Sequence, residues 1–291
     1  MVINSSFVDT QFKEYSTVAN WQNIMYYAAA IGDDNPLYFN DEGRTIIAPP
    51  MFAVATTWPI TSNISDFLED KNFPTEVLKT QVHYIEHLIF HRPLSAGEQL
   101  SIKGSIAAII RHNAGTIIIN KYDAYDKNGG LIFTEYIGGM IRGVDCTDDF
   151  RGLENLPATQ HPGVQDQPLW EKQIYIDRMT PYIYEGCTGL NFPIHTSINF
   201  AKAVGLPDIL LHGTATLALA VREITNSEAN RDSTKIKEIS CRFTGMVIPG
   251  KNIKVQVYAV TPRGNGKDIF FKVFNDQDKK VIPNGYVRID E

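Results

Sequence analysis

Residues 182–195 read YIYEGCTGLNFPIH, and residues 26–38 read YYAAAIGDDNPLY. Each stretch opens on a Tyr-rich run that reads as helix. A glycine follows, then a short Asn/Pro turn. Each then ends on a proline, a hydrophobe and a ring: Pro193-Ile194-His195 and Pro36-Leu37-Tyr38, 157 positions apart. The flanks repeat as well. IIAPPMFAVATTWPI (46–60) corresponds to ILLHGTATLALAVREI (209–224), each an apolar run, a turn pair and a stretch fit for a buried helix. FHRPLSAGEQLSIKGSI (90–106) corresponds to FTGMVIPGKNIKVQVYA (243–259), with Phe90 and Gly97 matching Phe243 and Gly250 at one offset of 153. Last comes a strand, a polar turn and a strand, the turns being DKNGG and NDQDKK. Both turns are good hairpin chemistry.

Four matched segments in one order make two copies of one unit, 1–145 and 173–291. Between them 146–172 lacks periodicity, is rich in Pro, Asp and Gln, and reads as a linker. In the second copy, 235–247, 251–262, 267–275 and 280–289 read as strands. Apolar helix followed by long alternating strands predicts an α+β fold, an antiparallel sheet around a central helix in each copy. One copy beside the other could continue the sheet and cover its edge.

The composition narrows the function classes. The chain has 291 residues, 43% hydrophobic and 21% charged, which excludes wholesale disorder and fibrous repeats. With 27 Lys and Arg against 33 Asp and Glu, the net charge is −6. That argues against non-specific nucleic acid or anionic membrane binding. Three distant cysteines, Cys146, Cys187 and Cys241, make neither a disulfide framework nor a zinc ribbon, and they fit a reducing compartment. No run approaches the ~18–20 apolar residues of a membrane span. The opening MVINSSFVDTQFKEY does not read as a secretory signal, so a cytoplasmic protein is expected.

The order of elements and the motif loops resemble the MaoC-like hydratases and dehydratases in their fused, double hot dog form. The resemblance covers both copies and excludes the linker. It implies a fold in which a curved antiparallel sheet wraps a long helix in each of two paired units. It also implies a lyase of fatty acid metabolism acting on a CoA thioester: 2-enoyl-CoA to (3R)-3-hydroxyacyl-CoA, or the reverse. The family signature is Gly-Asp-x-Asn-Pro-hydrophobe-His, with His-Gly downstream at the start of the central helix. The second copy has Gly189-Leu190-Asn191-Phe192-Pro193-Ile194-His195 and then His212-Gly213. The first has Gly32-Asp33-Asp34-Asn35-Pro36-Leu37-Tyr38 and then Pro49-Pro50. One copy therefore lacks the Asp, at Leu190, and the other lacks the His, at Tyr38.

Hydration of a conjugated thioester needs a base for water, an acid for C2 and donors for the developing enolate oxygen. The resemblance assigns the general base to His195 and the oxyanion donor to the N–H of Gly213, at a helix N-terminus. Asn191 is the first candidate for the missing carboxylate, with Thr188, Cys187 and Glu185 just upstream. Asp33, Asn35, Tyr38, Phe192 and His212 are candidate substrate-binding residues. Asp33 could equally brace its turn. Arg92 is a candidate for a CoA phosphate or a solvated strand end.

His83, His87 and His91 share even spacing and hence one strand face, but at ~3.3 Å per residue the end pair is too far apart for one metal ion. No metal or cofactor is implied, and the partner is the acyl-CoA substrate. A monomer and a homodimer are both compatible. Two rivals stand beside the hydratase: a thioesterase on the same scaffold, and a CoA-thioester-binding protein whose dyads have decayed.

Overall fold

The computed structural model describes residues 1–148, 150–160 and 167–291. The first half runs β1 (Val2–Ile3), β2 (Gln11–Val18), α1 (Trp21–Ala30), α2 (Pro36–Phe39), α3 (Phe52–Ser62) and α4 (Ile64–Phe67). It continues with β3 (Gln81–Phe90), β4 (Gln99–His112), β5 (Gly115–Tyr125), β6 (Leu131–Arg142), β7 (Asp145–Cys146) and β8 (Phe150–Arg151). The second half runs β9 (Trp170–Ile176), α5 (Thr180–Thr188), α6 (Ile198–Ala203) and α7 (Gly213–Glu228). Its long strands are β10 (Ile236–Arg242), β11 (Lys251–Arg263), β12 (Gly266–Phe274) and β13 (Lys280–Asp290).

One antiparallel sheet joins the halves, in the order β2-β4-β5-β6-β3-β10-β13-β12-β11-β9. The order is the same read from either end, so a pseudo-twofold axis runs through the β3–β10 seam. His87 pairs with Ser240 across that seam. These two are equivalents at the offset that matches Phe90 to Phe243, so they mark the axis. Tyr27 on α1 and Tyr184 on α5 meet on the same axis, 157 positions apart, their hydroxyls at 3.1 Å and both fully buried. A buried hydroxyl left unpaired costs about 1–3 kcal/mol, so the contact removes that cost for Tyr27. This is the double hot dog architecture: α3 and α7 lie within the curve of the shared sheet.

The local turn chemistry repeats with the copies. Gly97 (φ 84°) and Gly250 (φ 87°) both turn the chain into a long strand in the left-handed region that glycine tolerates. Asp126 Oδ1 accepts from the N–H groups of Asn128 and Gly130. In the matching hairpin Asn275 Oδ1 accepts from those of Gln277 and Lys279.

Three expectations change. The strand expected over 235–247 ends at Arg242, ahead of the breakers Gly245 and Pro249, and Phe243 turns inward. The stretch read as linker holds β8, paired to β4, and the start of β9. Part of it, at 149 and 161–166, lies outside the described residues. The histidines of β3 do not share a face. A bulge at Tyr84 shifts the register between His83 and Ile85. His83 thereby joins the face of Glu86, at 3.2 Å, while His87 points the other way to Glu238, at 2.7 Å. Among the described residues no helix is long and apolar enough to cross a membrane.

Candidate active site

Helix α5 ends at Gly189, whose φ of 72° lets its N–H close on the Glu185 carbonyl. The chain then winds back in turns: His195 N–H reaches the Phe192 carbonyl at 3.0 Å and Ser197 N–H the Pro193 carbonyl at 2.8 Å. This carries the His195 ring onto the start of α7, where it stacks on His212 with ring centroids 3.7 Å apart. His195 Nδ1 lies 2.8 Å from the Leu210 carbonyl. A carbonyl only accepts, so Nδ1 carries the ring proton and Nε2 keeps a bare lone pair. His212 Nε2 donates likewise to the Leu190 carbonyl at 3.0 Å. Its Nδ1 is buried without a hydrogen-bond partner among the described residues.

Both rings are held neutral. Burial pushes the His195 pKa down to about 4, against the pull of the Leu210 carbonyl. Burial and the neighbouring His195 push His212 down to about 2. His195 is therefore an unprotonated base throughout the neutral range.

Gly213 is the first residue of α7, and its N-cap His212 makes no side-chain capping bond. The leading N–H groups of the helix thus keep their hydrogen-bonding capacity for an incoming oxygen. A Cβ at Gly213 would lie 3.2 Å from the Phe243 ring, so glycine is also what lets that ring close over the helix start.

The nearest carboxylate is one the sequence placed only in the background. Glu185 Oε2 is 3.6 Å from His212 Nε2. Its two oxygens accept from Thr196 Oγ1 at 3.0 Å and from the N–H of Phe192 at 3.3 Å. One side chain so ties α5, the motif loop and the histidine stack. Leu190, in the family's Asp position, is 2% exposed and packs in the core. Asn191 is exposed and is not brought to the histidines, because the turn after Gly189 directs it outward. Phe192 is 40% exposed, its ring 6.4 Å from that of His195. Burial pushes the Cys187 thiol up, away from thiolate chemistry.

The first copy's loop is closed instead. Asp33, Asn35 and Tyr38 are all buried. Asn35 N–H donates to Asp33 Oδ1 at 3.2 Å, and Asn35 Nδ2 donates to the Arg231 carbonyl at 2.6 Å. Arg222, reaching over from α7, donates to the carbonyls of Ile31 and Gly32, and Arg231 pairs with Asp34. Burial pushes the Asp33 carboxyl up, offset in part by the Asn35 N–H and the two arginines. Just ahead of α3 stand Pro49 and Pro50, which have no N–H to offer and whose carbonyls take the N–H groups of Phe52 and Ala53. They line a small apolar cleft with Phe90, Leu94, Ser233 and Ile236. Arg92 is committed to Glu98 and Asp126 at 2.6 and 3.0 Å, so it braces two turns.

Comparison with known proteins gives a consistent picture. Residues 160–280 match the family described as MaoC like domain, and residues 6–135 match the FAS1-like, dehydratase domain region. The chain is 25% identical over 288 residues to the peroxisomal enoyl-CoA hydratase 2 of Arabidopsis thaliana, covering 93% of this chain and 90% of that one. It is 24% identical over 281 residues to the peroxisomal multifunctional enzyme type 2 of Drosophila melanogaster, spanning 92% of this chain and 45% of that longer protein. Among solved structures, the MaoC-like dehydratase of Phytophthora capsici superposes with a TM-score of 0.81 at 20% identity, covering 98% of both chains.

Proposed function

Because the chain belongs to the MaoC-like dehydratase family, in its double hot dog form, we propose that its second unit hydrates a 2-enoyl-CoA to (3R)-3-hydroxyacyl-CoA, or runs the reverse dehydration. The observation that carries this reading is the His195–His212 stack at the uncapped start of α7. The bare Nε2 of His195 takes a proton from water as its oxygen bonds C3. The electron pair of the C2–C3 double bond moves toward the thioester oxygen. The Gly213 N–H receives that oxygen, and the helix dipole favours its growing negative charge. Glu185 orients the stack through His212 and holds the motif loop. Glu185 takes the orienting part that Asn191, facing solvent, is not placed to play. Phe192 borders the entrance.

The first unit serves as scaffold and acyl wall. Its Asp33, Asn35 and Tyr38 hold a sealed loop beside the apolar cleft of Pro49, Pro50 and Phe90. The reaction draws its atoms from water and thioester and calls for no metal or redox group. The proposed compartment is the cytoplasm, on three free cysteines.

The test is turnover of a panel of enoyl-CoA thioesters, followed by loss of the conjugated enoyl absorbance with free thiol measured in parallel. Hydration without thiol release is expected, and His195→Ala is expected to lower kcat/KM by about 1,000-fold or more. Free CoA without hydration would make the protein a thioesterase. Binding without turnover would make it a binding protein.

A further inference from the structure

Glu86 on β3 and Glu135 on β6 are both fully buried. In the β3–β6 ladder Glu86 lies opposite Ile137 and Glu135 opposite Leu88, so the two are diagonal neighbours on the inner face of the sheet. Cys241 on β10 pairs with Glu86 across the seam between the units. Tyr27 on α1 and Tyr184 on α5, whose hydroxyls meet on the axis, lie within electrostatic reach of Glu86. Thr57 on α3 and Tyr122 on β5 stand beside Glu135.

None of these neighbours brings a positive charge. Among the described residues no arginine or lysine pairs with either carboxyl. The His83 ring does approach, its Nε2 3.2 Å from Glu86 Oε2. That nitrogen donates to the Ile85 carbonyl at 3.0 Å, and burial pushes the ring down to about 4. His83 is therefore neutral at working pH and compensates nothing. As carboxylates, the pair has all four oxygens buried without a hydrogen-bond partner among the described residues. Two dry carboxylates side by side cannot both ionise. A single proton changes this. The two side chains stand within hydrogen-bond reach of each other, and a protonated carboxyl can donate where a carboxylate cannot.

We propose that Glu86 and Glu135 form a proton lock: the chain folds with a proton held between them, and loss of that proton at alkaline pH loosens the joint between the two units. Burial pushes Glu86 up to about 8, and burial together with the adjacent Glu86 pushes Glu135 well up. In the unfolded chain both groups ionise in the ordinary carboxylate range. Folding therefore takes up protons. The stability this gives is complete at acid pH and is lost as the pH rises through about 8. From about pH 6.5 to 8, each held proton makes the folded-to-unfolded ratio fall about tenfold per pH unit. The other buried groups act outside that window. His83, His195 and His212, with lowered pKa values, cost stability only below about pH 6.5. The Cys241 thiol, pushed up by burial, matters only from about pH 8.5, and the tyrosines from about pH 10. The lock also has a way to reach the site. A charge on Glu86 arises beneath Tyr184, whose ring lies 5.0 Å from that of His212.

The test is urea unfolding of the whole chain at pH 6.5 and 8, wild type against the double variant Glu86→Gln/Glu135→Gln. Amide exchange in α1, α5 and the β3–β10 seam is followed alongside, with the infrared band of a buried protonated carboxyl. The wild type is expected to show the band at pH 7 and to lose folding equilibrium at least about tenfold per pH unit, with exchange rising in α1 and α5. The double variant, neutral at every pH, should lack the band and hold its stability within about twofold across the window. If the double variant does not fold, the wild-type band decides: it is present at pH 7 and fades as exchange rises, or it is absent. A wild type without the band overturns the proposal, and so does a folded double variant that keeps the wild-type slope. Neither readout uses turnover, so a failure of the hydratase reading is told apart from a failure of the lock.

Discussion

The two motif loops have the same turn and opposite fates. In the second copy the residues from Asn191 to Pro193 lie exposed, and the ring that follows them, His195, stacks over a helix start that still has N–H groups to offer. In the first copy Arg222 and Arg231 lock the loop down, Tyr38 is 1% exposed, and the leading N–H groups of α3, those of Phe52 and Ala53, are already taken by the carbonyls of Pro49 and Pro50. The first copy has the family's Asp and Asn but, under the proposed function, no oxyanion donor. The second lacks the Asp but has the histidine and the N–H proposed as that donor. A signature residue is worth only what its surroundings let it reach.

Gly213→Pro sharpens that contrast most, by placing in the second unit the proline that stands at the matching position, Pro50, in the first. Proline suits the first helical position, so α7 should persist. Loss of the N–H should lower kcat about 100- to 1,000-fold, read by steady-state kinetics on a protein whose circular dichroism is unchanged. Glu185→Gln should cost less, about 10-fold in kcat, because a neutral amide still bonds the loop but no longer orients the histidine stack by charge. KM unchanged beside a lowered kcat is the signature to look for. Asp33→Asn should leave kcat within about 2-fold, with stability to urea within about 1 kcal/mol, since an amide oxygen can still accept from Asn35. A large loss of turnover there would mean that the first loop touches substrate.

Much of this was legible in the sequence because turn chemistry is local. Gly97 and Gly250, the two hairpins and the paired Pro-hydrophobe-ring triplets announce the duplication, and the family resemblance implied the double hot dog. His195, His212 and Gly213 come together as the family resemblance implies. The sealing of the first loop was hidden, because Arg222 and Arg231 lie about 190 positions from the carbonyls and carboxylate they hold. The Glu86–Glu135 pair was hidden for another reason. Even spacing pointed at His83 and His87, and the bulge at Tyr84 moved His83 to the opposite face, beside Glu86. A lone Glu inside each of two apolar strands, VHYIEHLIF and LIFTEYIGGMI, was the available signal. Glu185 was near enough in sequence to be named, but only the αL turn at Gly189 brings its carboxylate back to the loop.

The central claim is that chemistry resides in the second copy and that the first cannot host it even with its signature restored. The direct test is Tyr38→His introduced into His195→Ala, which completes Gly-Asp-x-Asn-Pro-Leu-His in the first loop while removing the base from the second. Hydration of the same enoyl-CoA should stay at the level of His195→Ala alone, because Pro50 has no N–H and the loop remains sealed. Recovery of turnover in the double variant would contradict the account and show the first loop to be a working site lacking only its histidine.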